Sequence, residues 1–279
     1  MQWEPGDRSN IEDNRGRSGL GGVHLGIGSL LLLLLLSWAT GTNLFSLLGV
    51  DTSTPGQTAG TGERVQSTPA EEREVDFVDA VTKDAQEMWS QLLGPRYQPT
   101  RVALFRNSLN SACGFAQSAT GPFYCPADRK VYLDLGFFNE LSNRFGAPGE
   151  FARAYVIAHE IGHHVQNLLG LTGADGTSRR GPNSASVSIE LQADCFAGIW
   201  GHAASRQGRS RTGRVELEPG DVEAALRAAA AIGDDRLQKM TTGQVMPDRF
   251  THGTSAQRVA AFTRGQESGD PRACDAAGQ

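Results

Sequence analysis

The chain has 279 residues, of which 39% are hydrophobic and 20% are charged, so it is large and apolar enough to bury a sizeable core. Its formal net charge of −5 argues against a nucleic-acid-binding protein, which normally carries a basic face. The short basic cluster at 206–214 is interpreted as a solvated loop. No nucleic-acid partner is expected.

A long apolar stretch dominates the first fifty residues. Residues 18–50 contain no Asp, Glu, Lys or Arg, and a run of seven leucines lies near their centre. Because about 20 apolar residues cross a bilayer as a helix, residues 20–50 are predicted to be a transmembrane anchor. A cleaved signal peptide is the alternative. The uncleaved anchor is preferred, because apolar residues continue through 44–50 and no clean small-x-small cleavage site follows the leucines.

The charges on either side of this stretch predict its orientation. Arg8, Arg15 and Arg17 precede it, whereas no basic residue follows it until Arg64. The positive-inside rule therefore places the N-terminal tail, 1–19, in the cytoplasm and everything after the anchor outside. The expected location is the cell membrane, crossed once, with the main domain extracytoplasmic.

The next predicted elements are a linker and a helix. Residues 51–73 are rich in Thr, Gly, Pro, Ser and Gln, which is typical of a flexible tether. The helix that follows is ended by Gly94 and Pro95. Its apolar residues recur at helical spacing, at Phe77, Val81, Ala85, Met88 and Leu92.

Two strands and four helices are predicted in the remainder. The strands, 102–105 and 130–135, flank a region that contains Gly, Pro and Cys. Together these elements predict one α+β domain, 74–279, in which a small antiparallel sheet is followed by a helical bundle. The helices of the bundle are predicted at 150–169, 184–206, 219–232 and 253–266.

The four cysteines all follow the predicted anchor. Their even number suits disulfides in an oxidising compartment, and the absence of a C-x₂₋₄-C pair argues against a zinc-binding cysteine set. Three pairings are possible. Cys113 and Cys125 flank a short segment that contains Gly, so a local bridge is the simplest choice. Cys195 would then pair with Cys274 and tie the C-terminal tail to a helix.

The most informative segment is 159–164, HEIGHH, which holds three of the chain's six histidines. Residues four apart on an α-helix point nearly the same way, so His159 and His163 can offer their imidazoles to one metal ion. Glu160 lies beside them, placed to accept a proton from a metal-bound water, as in the H-E-x-x-H motif. The alternative is a chance match on a core helix. His164 points about 100° away and is interpreted as structural.

A catalytic zinc usually has three protein ligands and one water, so a third ligand is required. The candidates are Glu190 and Asp194, which are four residues apart on a predicted helix and share a face. That helix is too apolar to be a solvated acidic surface, and buried carboxylates need partners. Glu190 is therefore predicted to bind the zinc, and Asp194 to accept the N–H of a ligating imidazole. One zinc ion per chain is expected.

Several longer segments are distinctive: HEIGHHVQNLLG, ELQADCFAGIW, SACGFAQSATGPFYCPADRKVYLDLGFF, DDRLQKM and FTHGTSAQR. They resemble the bacterial, membrane-anchored neutral zinc metallopeptidase family. The resemblance includes NIEDNRG before the anchor and covers nearly the whole chain outside 51–73. It implies a gluzincin-like zincin fold with a glutamate as third zinc ligand, which agrees with the choice of Glu190. It also implies a peptidase, without identifying the substrate.

The segment 250–258, FTHGTSAQR, supplies the last candidate residues. A hydrolytic zinc site needs a group that stabilises the oxyanion, and neither HEIGH nor ELQAD contains one. The segment is similar to the T-H-P-x-x-x-x-R segment of membrane-associated gluzincin proteases, with Gly253 in place of the proline. On that similarity, His252 is expected to stabilise the oxyanion, and Arg258 to position it or to pair with Asp194. The alternative is a capped helix start with Arg258 on the surface.

Two functions are weighed on these residues. The first is a membrane-anchored zinc endopeptidase that hydrolyses peptide bonds outside the cytoplasmic membrane, with Glu160 as general base. The strand at 130–135 would present its edge to an extended peptide substrate. The second is a non-catalytic, zinc-stabilised module that recruits partners at the membrane. Glu160 favours the first, because a structural site needs no general base. The natural substrate and the oligomeric state stay open.

Overall fold

The computed structural model describes residues 1–16, 66–118, 121–171 and 180–275. The predicted transmembrane anchor, 20–50, lies outside the described residues. Within the described ranges, every helix is too short or too polar to span a bilayer. The single transmembrane helix therefore stays a prediction.

Seven α-helices lie in the described part of the chain. The first three are α1 (Pro69–Leu93), α2 (Gly136–Asn143) and α3 (Glu150–Leu169). The other four are α4 (Ala185–Ala204), α5 (Asp221–Ala231), α6 (Asp234–Thr242) and α7 (Ser255–Ser268). Helices α3, α4, α5 and α7 match the four predicted in the bundle, with ends that differ by at most two residues. Helix α6 is an addition to the predicted elements.

Helix α1 begins earlier than its apolar spacing predicts. The side chain of Thr68 caps it by accepting a hydrogen bond from the amide of Glu71. Pro69 occupies the first turn, where the missing N–H costs no hydrogen bond. Residues 69–73, assigned to the linker from their composition, are therefore helical and part of the domain.

Six strands accompany the helices: β1 (Ile11–Asp13), β2 (Arg101–Phe105), β3 (Ser108–Ser111), β4 (Gly114–Gln117), β5 (Phe123–Cys125) and β6 (Lys130–Asp134). The main sheet has the order β1-β2-β6-β5, and β3 and β4 form a separate antiparallel hairpin. The α+β class is confirmed.

The main sheet is mixed, so the prediction of an antiparallel sheet is wrong. β1 pairs with β2 and β2 with β6 in parallel, whereas β5 and β6 are antiparallel. A short turn joins β5 to β6 and reverses the chain. β2 and β6 are separated by the β3–β4 hairpin and β5, which gives the chain the length it needs to return in the same direction.

Both predicted disulfides are present. The Cys113–Cys125 bridge joins the end of the β3–β4 hairpin to β5. The Cys195–Cys274 bridge ties the C-terminal residues to α4. Because Cys195 lies five residues after Glu190, the second bridge also fixes the helix that supplies this carboxylate.

Helix α3 packs against α1, α4 and α5. It crosses α4 closely at Gly162, inside the HEIGHH segment. A Cβ atom at this position would lie 2.9 Å from the carbonyl oxygen of Ala193 and 3.2 Å from its Cα. The glycine therefore allows the two backbones to touch, and this crossing brings Glu190 of α4 to the histidines of α3.

Candidate metal centre

Two imidazoles and one carboxylate meet where α3 and α4 cross. The Nε2 atom of His159 lies 3.2 Å from Oε2 of Glu190, and Nε2 of His163 lies 3.5 Å from Oε1 of the same carboxylate. The three ligand atoms all lie within 4.8 Å of one another. The structure thus brings together the three residues that the sequence predicts as zinc ligands.

These separations suit a tetrahedral zinc ion. Zinc binds imidazole nitrogen and carboxylate oxygen at about 2.0–2.2 Å, which at the tetrahedral angle puts neighbouring ligand atoms roughly 3.3–3.6 Å apart. The observed 3.2 and 3.5 Å agree with that spacing. Two histidines and a glutamate also form the donor set of catalytic zinc sites that keep a fourth position open.

Asp194 fixes the ring of His159 from the side away from the ligand cluster. Its Oδ1 atom lies 2.8 Å from Nδ1 of His159. An ionised carboxylate only accepts hydrogen bonds, so Nδ1 of the neutral ring carries the proton and Nε2 keeps its lone pair for a metal. The structure therefore places Asp194 against one of the imidazoles predicted to bind zinc, where the sequence expects it.

Arg258 holds Asp194 in turn. Its Nε donates to Oδ2 of Asp194 at 2.8 Å and its Nη2 donates to Oδ1 at 2.9 Å. The hydroxyl of Tyr155 also donates to Asp194 and accepts from Nη2 of Arg258 at 3.1 Å. Arg258 is buried, so it is not a surface charge. Of the roles expected for it, the structure places it as the partner of Asp194.

Gln166 orients His163, a role that was not predicted from the sequence. Its Oε1 atom lies 2.8 Å from Nδ1 of His163. Its amide nitrogen donates to the carbonyl oxygen of Ile189 and to Oε1 of Gln192, which leaves the oxygen facing the histidine. Gln166 follows His163 by three residues. Because residues three or four apart on a helix are neighbours, this spacing could have predicted the contact between Gln166 and His163. The same spacing could have predicted that Tyr155 lies near His159.

Ion pairing keeps the carboxylates of the centre charged. Burial would raise the pKa of Asp194, but Arg258 and His159 hold it at about 2. Burial would also raise the pKa of Glu190, but His163 and His159 hold it well below its usual range. Burial would lower the pKa of His159, yet the same carboxylates raise it to about 10. The ionised carboxylates of Glu190 and Asp194 therefore lie on the two sides of His159, and their negative charge would favour the binding of a metal cation.

Glu160 lies beside the ligands and lines the same cleft, although its side chain is largely buried. Burial raises the pKa of its carboxyl, and the charges of His159 and His163 offset part of that rise. A carboxylate with a raised pKa is a stronger proton acceptor than an exposed one. The position and the basicity of Glu160 both suit proton transfer in the cleft.

His252 lines this cleft from the loop between α6 and α7. Its Nδ1 atom lies 3.3 Å from Oδ1 of Asp234. The other oxygen of Asp234 accepts hydrogen bonds from the amides of Thr251, His252 and Gly253 at distances of 2.7, 2.7 and 3.1 Å. Asp234 therefore fixes both the loop and the ring. It was not predicted, because α6 was not.

Gly253 explains how the loop departs from the T-H-P pattern. Its φ is +91°, which proline cannot adopt because its ring fixes φ near −65°. The following residue, Thr254, caps α7 together with Gln257. The helix start expected as an alternative therefore exists alongside the placement of His252 in the cleft.

The cleft beside the ligand cluster has a volume of about 620 Å³, which is within the range of ligand-binding pockets. Its polar lining includes the three predicted zinc ligands with Glu160 and His252. The rest is largely apolar and comes mostly from β5, α2, α6 and the loops beside them, with a smaller part from α3 and α7. These apolar and aromatic residues include Phe123, Tyr124, Phe137, Phe145, Leu237 and Met240.

His164 faces away from the ligand cluster. Its Nε2 atom lies 2.6 Å from the carbonyl oxygen of Gln98, and its Nδ1 atom lies 3.0 Å from the hydroxyl of Tyr124. Since Tyr124 belongs to β5, His164 ties this strand to α3. These contacts agree with the structural role expected from its direction on the helix.

Comparison with known proteins gives an independent result. A family model described as "Putative neutral zinc metallopeptidase" matches residues 1–277. The chain belongs to this family. The matched range includes the ligand cluster, the cleft and the residues that precede the predicted anchor.

Two bacterial relatives illustrate the family. The uncharacterized protein YpfJ of Escherichia coli K12 is 41% identical over 298 aligned positions, which cover 100% of this chain and 99% of that protein. The uncharacterized protein Rv2575 of Mycobacterium tuberculosis H37Rv is 46% identical over 202 positions, which cover 71% of this chain and 69% of that protein. No solved structure matches the chain.

Proposed function

We propose that this protein is a zinc-dependent metalloendopeptidase that acts outside the cytoplasmic membrane. The observation that carries the proposal is the cluster of His159, His163 and Glu190, which shares a cleft with the carboxyl of Glu160. Membership of the neutral zinc metallopeptidase family supports the same reaction class.

The residues of the centre would have two different roles in hydrolysis, which are zinc binding and proton transfer. His159, His163 and Glu190 would hold zinc, which supplies a Lewis acid that lowers the pKa of a water and polarises the scissile carbonyl. Glu160 would accept a proton from the attacking water as the new C–O bond forms. It would deliver that proton to the leaving amine nitrogen as the C–N bond breaks.

His252 would stabilise the negative oxygen that forms on the scissile carbonyl. The hydrogen bond from its ring to Asp234, acting against burial, raises the pKa of His252. A higher pKa favours the protonated ring, which both donates a hydrogen bond and carries positive charge. With Nδ1 directed at Asp234 and at the hydroxyl of Thr251, Nε2 is the atom available to the substrate.

The make-up of the ligand cluster favours hydrolysis over a non-catalytic recruiting module. A structural zinc site closes with a fourth protein ligand. Among the described residues, the cluster contains three ligands, and it faces a cleft. The carboxyl of Glu160 lines the same cleft, where it can serve as a proton acceptor.

The edge of the sheet beside the cleft suggests how a peptide would bind. The strand expected to present its edge, at 130–135, is β6, which lies between β2 and β5 and is therefore not an edge. The edge strand is β5, and its residues Phe123 and Tyr124 line the cleft. An extended polypeptide paired with β5 would gain main-chain hydrogen bonds and rest its side chains on apolar walls.

The proposed location is supported by the cysteines and by the apolar stretch. All four cysteines form disulfides, which persist in oxidising compartments such as the space outside the cytoplasmic membrane. An anchor at 20–50 would hold the enzyme at the membrane.

One comparison tests the proposed reaction. Zinc content and cleavage of an unstructured protein would be measured for the full-length wild type and for Glu160→Gln. We expect equal zinc in both, with cleavage at least about 100-fold slower in the variant. Wild-type cleavage by Glu160→Gln would contradict the mechanism. A zinc-loaded wild type that cleaves nothing would favour the recruiting module.

A further inference from the structure

The N-terminal segment, defined as residues 1–16, is built into the domain that carries the metal centre. Its strand β1 pairs with β2 in parallel register, with Ile11 opposite Val102 and Asp13 opposite Leu104. The amide of Asn14 also donates to the carbonyl oxygen of Leu104 at 2.8 Å. With β1 in place, β2 is an interior strand, as its buried side chains require.

A buried carboxylate of α1 depends on this segment. Asp79 has no solvent exposure. Its two oxygens accept hydrogen bonds from the amide of Arg8 at 3.0 Å, the amide of Asn10 at 3.3 Å and the side-chain amide of Asn10 at 3.0 Å. A Cβ atom on Gly6 would lie 2.2 Å from Oδ2 of Asp79, so the backbone is in close contact there. A buried carboxylate without hydrogen-bond partners is strongly unfavourable. The burial of Asp79 therefore depends on the hydrogen bonds that the segment donates to it.

The arginines of the segment pair with acidic residues of α1. Arg15 is 4% exposed, and its guanidinium lies 2.8 Å from Glu72 and 3.2 Å from Glu71. Arg8 pairs with Asp76 at 2.6 Å and also with Glu72. Arg8 and Arg15 are two of the three arginines on which the predicted cytoplasmic position of the N-terminus rests. Because both are neutralised by the domain, they are a weak signal for orientation.

The segment also reaches the helix that carries HEIGHH. The ring of Trp3 packs edge-on against Phe77 at 5.4 Å. Its Nε1 donates to Oε2 of Glu150, the first residue of α3, at 3.3 Å. The segment therefore contacts the first turn of α3, the helix that carries His159 and His163.

These contacts bear on how the protein is arranged at a membrane. The hydrocarbon core of a bilayer is about 30 Å thick, so it cannot separate groups that are hydrogen-bonded to each other. We propose that the N-terminal segment and the metal centre lie on the same side of the membrane, with the segment docked on α1 and β2. This proposal replaces the expectation of a cytoplasmic tail with an extracytoplasmic domain. It also replaces the single crossing predicted at 20–50, because one crossing would put the two flanks of that stretch on opposite sides of the bilayer.

Cysteine labelling of the full-length protein tests the proposal. Ser9 and Ser268 are both exposed, one in the segment and one at the end of α7. The native cysteines are all in disulfides and give no background. Ser9→Cys and Ser268→Cys would be expressed separately, and right-side-out membrane vesicles would be treated with a membrane-impermeant maleimide before and after permeabilisation.

We expect both variants to be labelled to the same extent before permeabilisation. Labelling of both only afterwards would also place them on one side, while contradicting the extracytoplasmic location proposed above. Labelling of one variant before and of the other only after permeabilisation would overturn the proposal, because Ser9 is exposed in the docked segment and only the membrane could protect it.

Thermal unfolding of the purified full chain tests the docking itself. Arg15→Gln should lower the Tm by at least about 4 °C, because it leaves acidic residues of α1 without their buried partner. Arg211→Gln, at an exposed position, is the matched control and should change the Tm little. Equal Tm values for the two variants would show that the segment is not docked and would also overturn the proposal.

Discussion

Oδ1 of Asp194 lies 2.8 Å from Nδ1 of His159, so a carboxylate on α4 determines which nitrogen of a histidine on α3 carries the proton. The same carboxylate is held at both oxygens by Arg258 of α7. The ring of His159, a proposed zinc ligand, is thus oriented by the packing of three helices. Changes that leave the ligands untouched should therefore still alter zinc binding.

Asp194→Asn should lower zinc affinity by about 10- to 100-fold, the usual effect of losing a partner behind a ligating histidine. The amide lacks the charge that fixes the ring, and it leaves Arg258 buried without its counter-ion. Competition with a chelating dye would measure the Kd, with the exposed Asp248→Asn as control. Glu190→Ala should lose zinc altogether. The reverse order of the two effects would identify Asp194 as the ligand.

His252→Ala should bind zinc like the wild type and lower kcat by about 10²–10³, the cost of losing one oxyanion donor. Asp234→Asn should lower kcat to a smaller extent, because the ring and the loop amides lose a charged acceptor. Steady-state kinetics on an unstructured protein, together with zinc analysis, would separate these effects. Unchanged kcat in a folded, zinc-loaded His252→Ala protein would exclude His252 from the reaction.

The parts of the centre that the sequence could predict are those set by helical spacing. His159 and His163 lie four residues apart on one face of a helix, and so do Glu190 and Asp194. The proximity within each pair could therefore be predicted without knowing how the helices pack. Buried, periodic helices such as α3 and α4 are also the easiest to recognise. Local pattern therefore predicts which residues meet in the cluster.

The elements that the sequence analysis missed depend on contacts between distant parts of the chain. β1 has three residues, too few for an alternating pattern, and its partner β2 lies about ninety positions further on. Helix α6 is mostly polar and is held by the loop that it fixes through Asp234. The parallel pairing of β2 with β6 likewise depends on the path of the chain between the two strands. The residue types within a strand do not predict that path.

Gly162→Ala should destabilise the protein although alanine is the better helix former. Alanine gains about 1 kcal/mol in helix propensity, but its Cβ would lie 2.9 Å from the backbone oxygen of Ala193, and overpacking of this kind costs about 1–3 kcal/mol. Because the clash pushes α4 away, zinc affinity should fall as well.

The matched control for this substitution is Gly201→Ala on α4. Its Cβ would meet only side-chain atoms, at 3.4 Å or more, so this variant should be as stable as the wild type or more stable. Chemical denaturation and zinc titration of both variants would measure the two effects. Equal stability of the two variants would show that the crossing of α3 and α4 is not limited by backbone contact.

The acid sensitivity of the fold should depend in part on Glu72. Hydrogen bonds from Ser67, Arg15 and Arg8 lower its pKa from 4.5 to about 2. A carboxyl whose pKa is lower in the folded state contributes stability that is complete above its unfolded pKa and is lost as the pH falls through its folded pKa. Glu72→Gln should therefore lower the Tm at pH 6, and its difference from the wild type should shrink between pH 4.5 and pH 2.

The size of this difference is limited by exposure, because the side chain of Glu72 is 33% exposed and its ion pairs are partly screened by water. We expect no more than about 2–4 °C at pH 6. Glu267→Gln, at an exposed position on α7, is the control and should follow the wild type at every pH. A Glu72→Gln difference that stays constant from pH 6 to pH 2 would mean that the ion pairs between the N-terminal segment and α1 do not form in solution.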